Sequence, residues 1–156
     1  MDRAEFTRRA EACANRLHRI SWCILRSETD CEDAVQEALL RAWNRLHTLR
    51  NTDYFETWLT RILINESRRM LRRRLSSPTL ELDEHIAAAP SELPDPTLSD
   101  AIRSLDERYS LPLILHHVSG YTNEEVGRIL NVPVTTVKWR LVEARKRLRK
   151  ALGPDQ

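Results

Sequence analysis

Arg68, Arg69, Arg72 and Arg73 fall in two pairs one helical turn apart, and Asn65 lies just upstream. On a helix these five residues would form a basic ridge with an amide beside it. Guanidinium groups grip phosphate oxygens two at a time and an asparagine can read a base edge, so the chemistry indicated is nucleic-acid binding. Like charges at this spacing repel one another, and phosphate would relieve the repulsion. A second set, Thr135, Thr136, Lys138, Trp139 and Arg140, combines hydroxyls, cations and one aromatic. Those are the side-chain types that meet base edges when the start of a helix enters the major groove. A third set is acidic: Asp33, Gln36, Glu37 and Asn44 surround Leu40. An apolar side chain among carboxylates and amides indicates a surface for a second partner or, equally, an ordinary exposed leucine.

Helices must carry all three sets. The chain of 156 residues has only three Gly and 41% hydrophobic residues, and Leu, Ala, Arg and Glu dominate, so the expected fold class is all-α. A helix is expected from about 31 to 46, with Asp30 as N-cap and Glu32 and Asp33 in the first turn. Its core stripe would be Val35, Ala38, Leu39, Ala42, Trp43 and Leu46. The loop Leu49 to Asp53 then leads into a helix over about 54 to 74, with Phe55, Trp58, Leu59, Ile62 and Leu63 on its core side and the arginine ridge at its far end.

Further helices are expected around Leu98, Ile102 and Leu105, and over 111 to 118, the second ended by Ser119-Gly120. Residues 121 to 141 read as a helix-turn-helix. Thr122 and Glu125 would form a capping box, Val126, Ile129 and Leu130 the buried side, and Asn131 the left-handed turn. Pro133 and Thr135 would open the second helix, whose stripe Val137, Leu141, Ala144 and Leu148 leaves the second set facing outward. Trp139 either meets a thymine methyl or sugar or packs on the preceding helix.

Pro78, Pro90, Pro94 and Pro96 punctuate a stretch containing Glu81, Asp83, Glu84, Glu92 and Asp95 and no Lys or Arg. Residues 76–97 are therefore expected to be a flexible acidic linker, extended apart from one helical turn near 84–89. It would join two small helical domains, 1–75 and 98–153. The net charge of +2 conceals basic patches at 68–74 and at Arg145, Lys146, Arg147, Arg149 and Lys150. That segregation fits a polyanion contacted at two separate places. Cys13, Cys23 and Cys31 form no C-x-x-C pattern, which points to a reducing cytoplasm and neither a disulfide framework nor a zinc site. His116 and His117 should diverge on a helix, so no metal is assigned. No cofactor is expected. The N-terminus lacks an apolar core and no stretch has the length to span a bilayer, so the protein is expected to be soluble and unprocessed.

Both modules together resemble the extracytoplasmic-function group of bacterial sigma factors, of the sigma-70 family. Asp30 to Trp43 looks like that family's core-binding helix, Phe55 to Asn65 like its promoter-melting helix, and the helix-turn-helix like its region 4. The resemblance covers nearly the whole chain. It implies a region 2 helical bundle and a region 4 domain that recruit RNA polymerase core enzyme to promoters, with no enzymatic activity. Asp33, Gln36, Glu37 and Leu40 would dock on the clamp helices of the largest subunit, with the flap of the second subunit as a further contact. The loop containing Arg50, Asn51 and Tyr54 would take a base flipped from the minus-ten element. Asn65, Arg68, Arg69, Arg72 and Arg73 would hold that element's edge and backbone. Thr135, Thr136, Lys138, Trp139 and Arg140 would read the minus-thirty-five element. The linker would thread the RNA exit path, and an anti-sigma factor would regulate the protein.

Three departures from the family pattern stand out. Arg69 occupies a position where an acidic residue is common, Gly127 one where alanine is usual, and Trp139 one where a small residue is usual. Two other readings compete. A helix-turn-helix regulator binding duplex DNA as a dimer explains the C-terminal module equally well but leaves the acidic face without a role. A metal-dependent nuclease using Asp30, Glu32, Asp33 and Glu37 lacks a convergent base or phosphate loop.

Overall fold

The computed structural model describes residues 1–76 and 96–153, and among these every regular element is helical. The chain divides into two compact units, Met1–Ala87 and Ala88–Gln156. The expected linker, with its helical turn near 84–89, lies outside the described residues except at its ends. Ser76 closes the last helix of the first unit, and Pro96 already belongs to a helix of the second. Proline suits the first turn of a helix, where its missing amide would have had no partner.

In the first unit α1 (Arg3–Ala12) and α2 (Ala14–Leu25) precede α3 (Glu28–Asn44) and α4 (Phe55–Leu75). α2 buries Leu17, Ile20, Trp22, Ile24 and Leu25 against α3 and α4. α3 starts three residues earlier than the sequence indicated. Ser27 is its N-cap, accepting from the Asp30 N–H at 3.3 Å, whereas the Asp30 carboxylate pairs with Arg74 at 2.6 Å. Its buried face overlaps the expected stripe at Ala38 and Ala42 and is otherwise turned towards Cys31 and Ala34, all four being fully buried. Val35 and Leu39 are only half-buried, Leu46 lies beyond the helix end, and Trp43 is 40% exposed. Side-chain size accounts for the difference, because a row of small residues lets neighbouring helices approach closely while the larger ones wedge at the flanks.

α4 keeps its expected anchors Phe55, Leu59 and Leu63 in the core, adds Ile64, and leaves Trp58 and Ile62 half-buried. Ser67 shares a buried hydrogen bond with Ser21 of α2 at 3.0 Å. All three cysteines are buried, and none is in a disulfide. Burial pushes the Cys13 and Cys31 thiols up to about 11, so they stay protonated and unreactive near neutral pH.

The second unit contains α5 (Pro96–Arg103), α6 (Glu107–Leu113), α7 (Asn123–Leu130) and α8 (Val134–Leu152). α6 begins earlier than expected, capped by Asp106, whose carboxylate accepts from the Arg108 N–H at 2.9 Å. Pro112 lies inside it, and the chain continues in a wider π turn over Ile114–Val118. That turn brings the adjacent rings of His116 and His117 to 4.8 Å, against the expected divergence. His116 Nδ1 lies 2.8 Å from the Tyr121 carbonyl, which only accepts, so this nitrogen carries the proton.

The helix-turn-helix follows as its local signals indicate. The Thr122 hydroxyl accepts from the Glu125 N–H at 3.1 Å and the Glu125 carboxylate accepts from the Thr122 N–H at 3.0 Å. Asn131 is left-handed at φ 57°. Val126 and Ile129 are buried beneath Val137, Leu141 and Ala144 of α8, with Leu130 and Leu148 half-buried. Gly127 explains itself here, because a Cβ at this position would stand 2.9 Å from the Val132 carbonyl oxygen, a backbone atom of the turn. Alanine would gain about 1 kcal/mol of helix propensity, but overpacking against backbone costs about 1–3 kcal/mol. Gly127→Ala should therefore lower the thermal midpoint of the second unit, measured by circular dichroism, and a raised midpoint would show that the turn yields easily.

Candidate nucleic-acid interface

Helix α4 runs from a buried aromatic start to an exposed cationic end. Asn65, Arg69, Arg72 and Arg73 are exposed there and Arg68 is half-buried, so the ridge inferred from spacing exists on the surface. Arg69 has a partner within the protein: its Nη1 lies 3.3 Å from Glu66 Oε1. Glu66 is only 2% exposed, and the same oxygen is 2.6 Å from Arg41 Nε on α3. Arg41 Nε is in turn 3.4 Å from Glu37. A carboxylate taken out of water requires compensating charge, and two guanidinium groups from different helices supply it. The resulting chain of alternating charge runs from the acidic face of α3 to the arginine ridge of α4. Sequence reasoning missed Glu66, although its three-residue spacing from Arg69 was a legible hint.

On α3, Asp33, Gln36 and Leu40 are exposed and Glu37 is half-buried, all on one side of the helix. Leu40 is 56% exposed, and Trp43, assigned to the core from sequence, extends this face by one further turn. The Trp43 ring meets Phe6 of α1 edge-on at 5.3 Å, so one side of it is packed and the other free. The acidic face thus has two apolar side chains where the sequence indicated one.

Between α3 and α4 the chain makes two short 3₁₀ turns, Leu46–Thr48 and Thr52–Tyr54. Arg50 and Asn51, between the two turns, and Tyr54, at the end of the second, are exposed. Asn51 Oδ1 accepts from the Asp53 N–H at 3.0 Å, which holds the turn and leaves the amide nitrogen as the group able to donate outward. The Thr57 hydroxyl donates to the Tyr54 carbonyl at 3.0 Å.

In the second unit, Thr135, Lys138 and Trp139 are exposed at the start of α8, with Thr136 and Arg140 half-buried beside them. Trp139 packs in part, though on α6 and not on the helix immediately before its own. Its ring centroid is 6.4 Å from that of Tyr109 on α6, yet 57% of the residue stays accessible. Arg147 lies over the same Tyr109 ring at 4.4 Å. Among the described residues no group of three His, Cys, Asp or Glu side chains is placed to hold a metal ion.

A basic ridge, an acidic and apolar helix face, and a helix-turn-helix in a separate unit therefore coexist in this chain. Residues 10–76 match the family model for sigma-70 region 2, and residues 97–148 match that for sigma-70 region 4. The chain belongs to the extracytoplasmic-function group of the sigma-70 family. It is 30% identical to the sigma-E factor of Escherichia coli strain K12, with 80% of this chain and 75% of the relative covered. It is 28% identical to the sigma factor SigW of Bacillus subtilis, with 88% and 83% covered. Its fold is similar to that of the sigma factor RpoE from Bartonella quintana, solved in complex with the anti-sigma factor NepR, at a TM-score of 0.83 and 24% identity over 97% of this chain and 99% of the other. This sigma factor directs transcription initiation by RNA polymerase, carries out no catalysis of its own, and binds DNA through the region 4 helix-turn-helix. The dimeric regulator and the nuclease are thereby set aside.

The buried carboxylate gives a first test. Glu66→Gln keeps the side chain's shape but leaves Arg41 and Arg69 without their counter-charge, which should lower stability by about 1–3 kcal/mol. Arg69→Ala, which removes a largely solvated partner, should cost less than about 1 kcal/mol. Urea unfolding of the two variants measures both, and equal losses would show that Glu66 is not the shared anchor.

Proposed function

We propose that this sigma factor uses the three surfaces for three separate tasks. Asp33, Gln36, Glu37 and Leu40, extended by Trp43, dock on the clamp helices of the polymerase's largest subunit. The loop carrying Arg50, Asn51 and Tyr54 receives a base flipped from the minus-ten element. Asn65 with Arg68, Arg69, Arg72 and Arg73 grips that element's edge and backbone, and Thr135, Thr136, Lys138, Trp139 and Arg140 read the minus-thirty-five element, with the flap of the second subunit holding region 4. The observation that carries this reading is the two-sidedness of α3: its small residues are sealed in the core while Leu40, 56% exposed, stands out among acidic groups on the other side. An exposed leucine beside carboxylates suits a basic, partly apolar partner groove better than it suits water. DNA is excluded from that face by its charge.

Two further assignments belong to the same reading. An anti-sigma factor is proposed as a regulatory partner, on the strength of the fold shared with a protein solved in such a complex. Leu40 and Trp43 are the apolar side chains it would cover. The setting proposed is the cytoplasm, where sigma factors act, and three buried cysteines outside any disulfide suit its reducing conditions.

Transcription by purified core polymerase on a bacterial genomic DNA library, with and without this protein, tests the assignments. New start sites should share two upstream elements at fixed spacing. Arg72→Ala should reduce the salt dependence of promoter binding by about one unit of log–log slope without altering which sequences are used. Arg140→Ala should instead change selectivity at the upstream element alone. Start sites that share only one element would overturn the division of labour between the two units.

A further inference from the structure

Short-range hydrogen bonds shape the loop between α3 and α4: the Tyr54 N–H donates to the Asn51 carbonyl at 3.1 Å, and the Asp53 N–H to Asn51 Oδ1 and the Thr57 hydroxyl to the Tyr54 carbonyl, both at 3.0 Å. Arg50, Asn51, Thr52, Asp53 and Tyr54 are all exposed. A tie from outside the loop comes from α1. Arg9 Nη2 donates to the Thr52 carbonyl at 2.8 Å, while the guanidinium carbon sits 4.9 Å from the centroid of the Phe55 ring. Arg9 Nη1 is 3.9 Å from Glu5, one turn back on the same helix, which steadies the side chain from behind. Phe6 of α1 packs edge-on against Phe55 at 5.5 Å and against Trp43 at 5.3 Å. One short helix therefore touches the last turn of α3, the middle of the loop and the first residue of α4. Residues 1–9, including Phe6 and Arg9, lie upstream of the segment that matches region 2.

We propose that Arg9 is a positioning residue for promoter recognition: it pins the Thr52 carbonyl so that Asn51 and Tyr54 project at the geometry a flipped base requires. The inference rests on the reading of this loop as the base pocket given above. The mechanism is preorganisation. Thr52 opens the 3₁₀ turn that ends in Tyr54, so fixing its carbonyl fixes the residues on either side. A loop already held in its binding geometry loses less conformational freedom when the base arrives. Only an arginine can do both parts of this, because its planar fork offers one N–H to the carbonyl while its face lies on the aromatic ring. Arg9 itself touches no DNA.

The test uses the full chain assembled with core polymerase and a single-stranded oligonucleotide bearing the minus-ten element mapped from the protein's own start sites. Arg9→Met retains the packing stem and loses the donor and charge, Arg9→Lys retains a charge and a donor, and Asn51→Ala probes the loop directly. Arg9→Met should weaken binding of the matched strand by roughly tenfold, the worth of one hydrogen bond with its ring contact, and flatten the discrimination against strands substituted within the element. Hydrogen exchange of the amides at 51–54 should accelerate, affinity for core polymerase should be unchanged, and Arg9→Lys should recover part of the loss. Faster exchange with discrimination intact, while Asn51→Ala abolishes it, would overturn the role of Arg9 and leave the loop's role standing. Discrimination unaffected by Asn51→Ala would overturn the loop's role and this inference with it, and a parallel loss of core affinity in Arg9→Met would reduce Arg9 to a purely structural part.

Discussion

The burial of one carboxylate constrains the first unit more than any other single feature. Glu66 is withdrawn from solvent on α4, and its charge is balanced by Arg41 from α3 and Arg69 from its own helix. A charge in that position tolerates little displacement, since separating the partners by even a few ångströms in a low-dielectric setting is expensive. The pair consequently sets the rotation of α3 against α4. That rotation decides which side of α3 faces outward and which side of α4 carries its arginines. The acidic face of α3 and the basic ridge of α4 are thus two consequences of one internal arrangement, with Glu37, Arg41, Glu66 and Arg69 in sequence between them.

Packing reinforces the same arrangement. Cys31, Ala34, Ala38 and Ala42 present a shallow face to the neighbouring helices, and Arg74 ties the end of α4 to Asp30 near the start of α3. Small residues in the seam keep the large ones at its edges, so Trp43 is left half-packed on Phe6 and half-accessible. A residue that helps seal the core can in this way also serve a partner. The helix-turn-helix needs no comparable device: α8 is fixed by its own apolar stripe and by a turn tight enough that only glycine fits at position 127 without displacing the Val132 carbonyl.

How much of this was legible in the sequence differs between the units for a physical reason. In the helix-turn-helix the determining interactions are local: the Thr122–Glu125 capping box and left-handed Asn131 each depend on residues within a few positions, and each appears in the structure as the residue types indicated. In the first unit they are not. Hydropathy pointed to Val35, Ala38, Leu39, Ala42, Trp43 and Leu46 as the core stripe of α3, and closeness of approach keeps only its two alanines fully buried and adds Cys31 and Ala34. Asp30 had the right type for a cap, but Ser27 holds that place while Asp30 pairs with Arg74, far along the chain. Glu66, flanked by Asn65 and Ser67, looks like part of a solvated face until Arg41 is brought over it. Likewise, nothing near Thr52 in the sequence announces Arg9 as its partner.

In the proposed division of labour α3 of this sigma factor meets polymerase and α8 meets promoter DNA. Site-specific photocrosslinking in the assembled holoenzyme bound to its promoter tests it most directly, with a photoreactive side chain placed at Leu40 in one preparation and at Trp139 in another. Crosslinking from position 40 to the largest polymerase subunit and from position 139 to the upstream promoter element is the predicted result. Crosslinking from position 40 to DNA, or from position 139 to protein alone, would contradict the account.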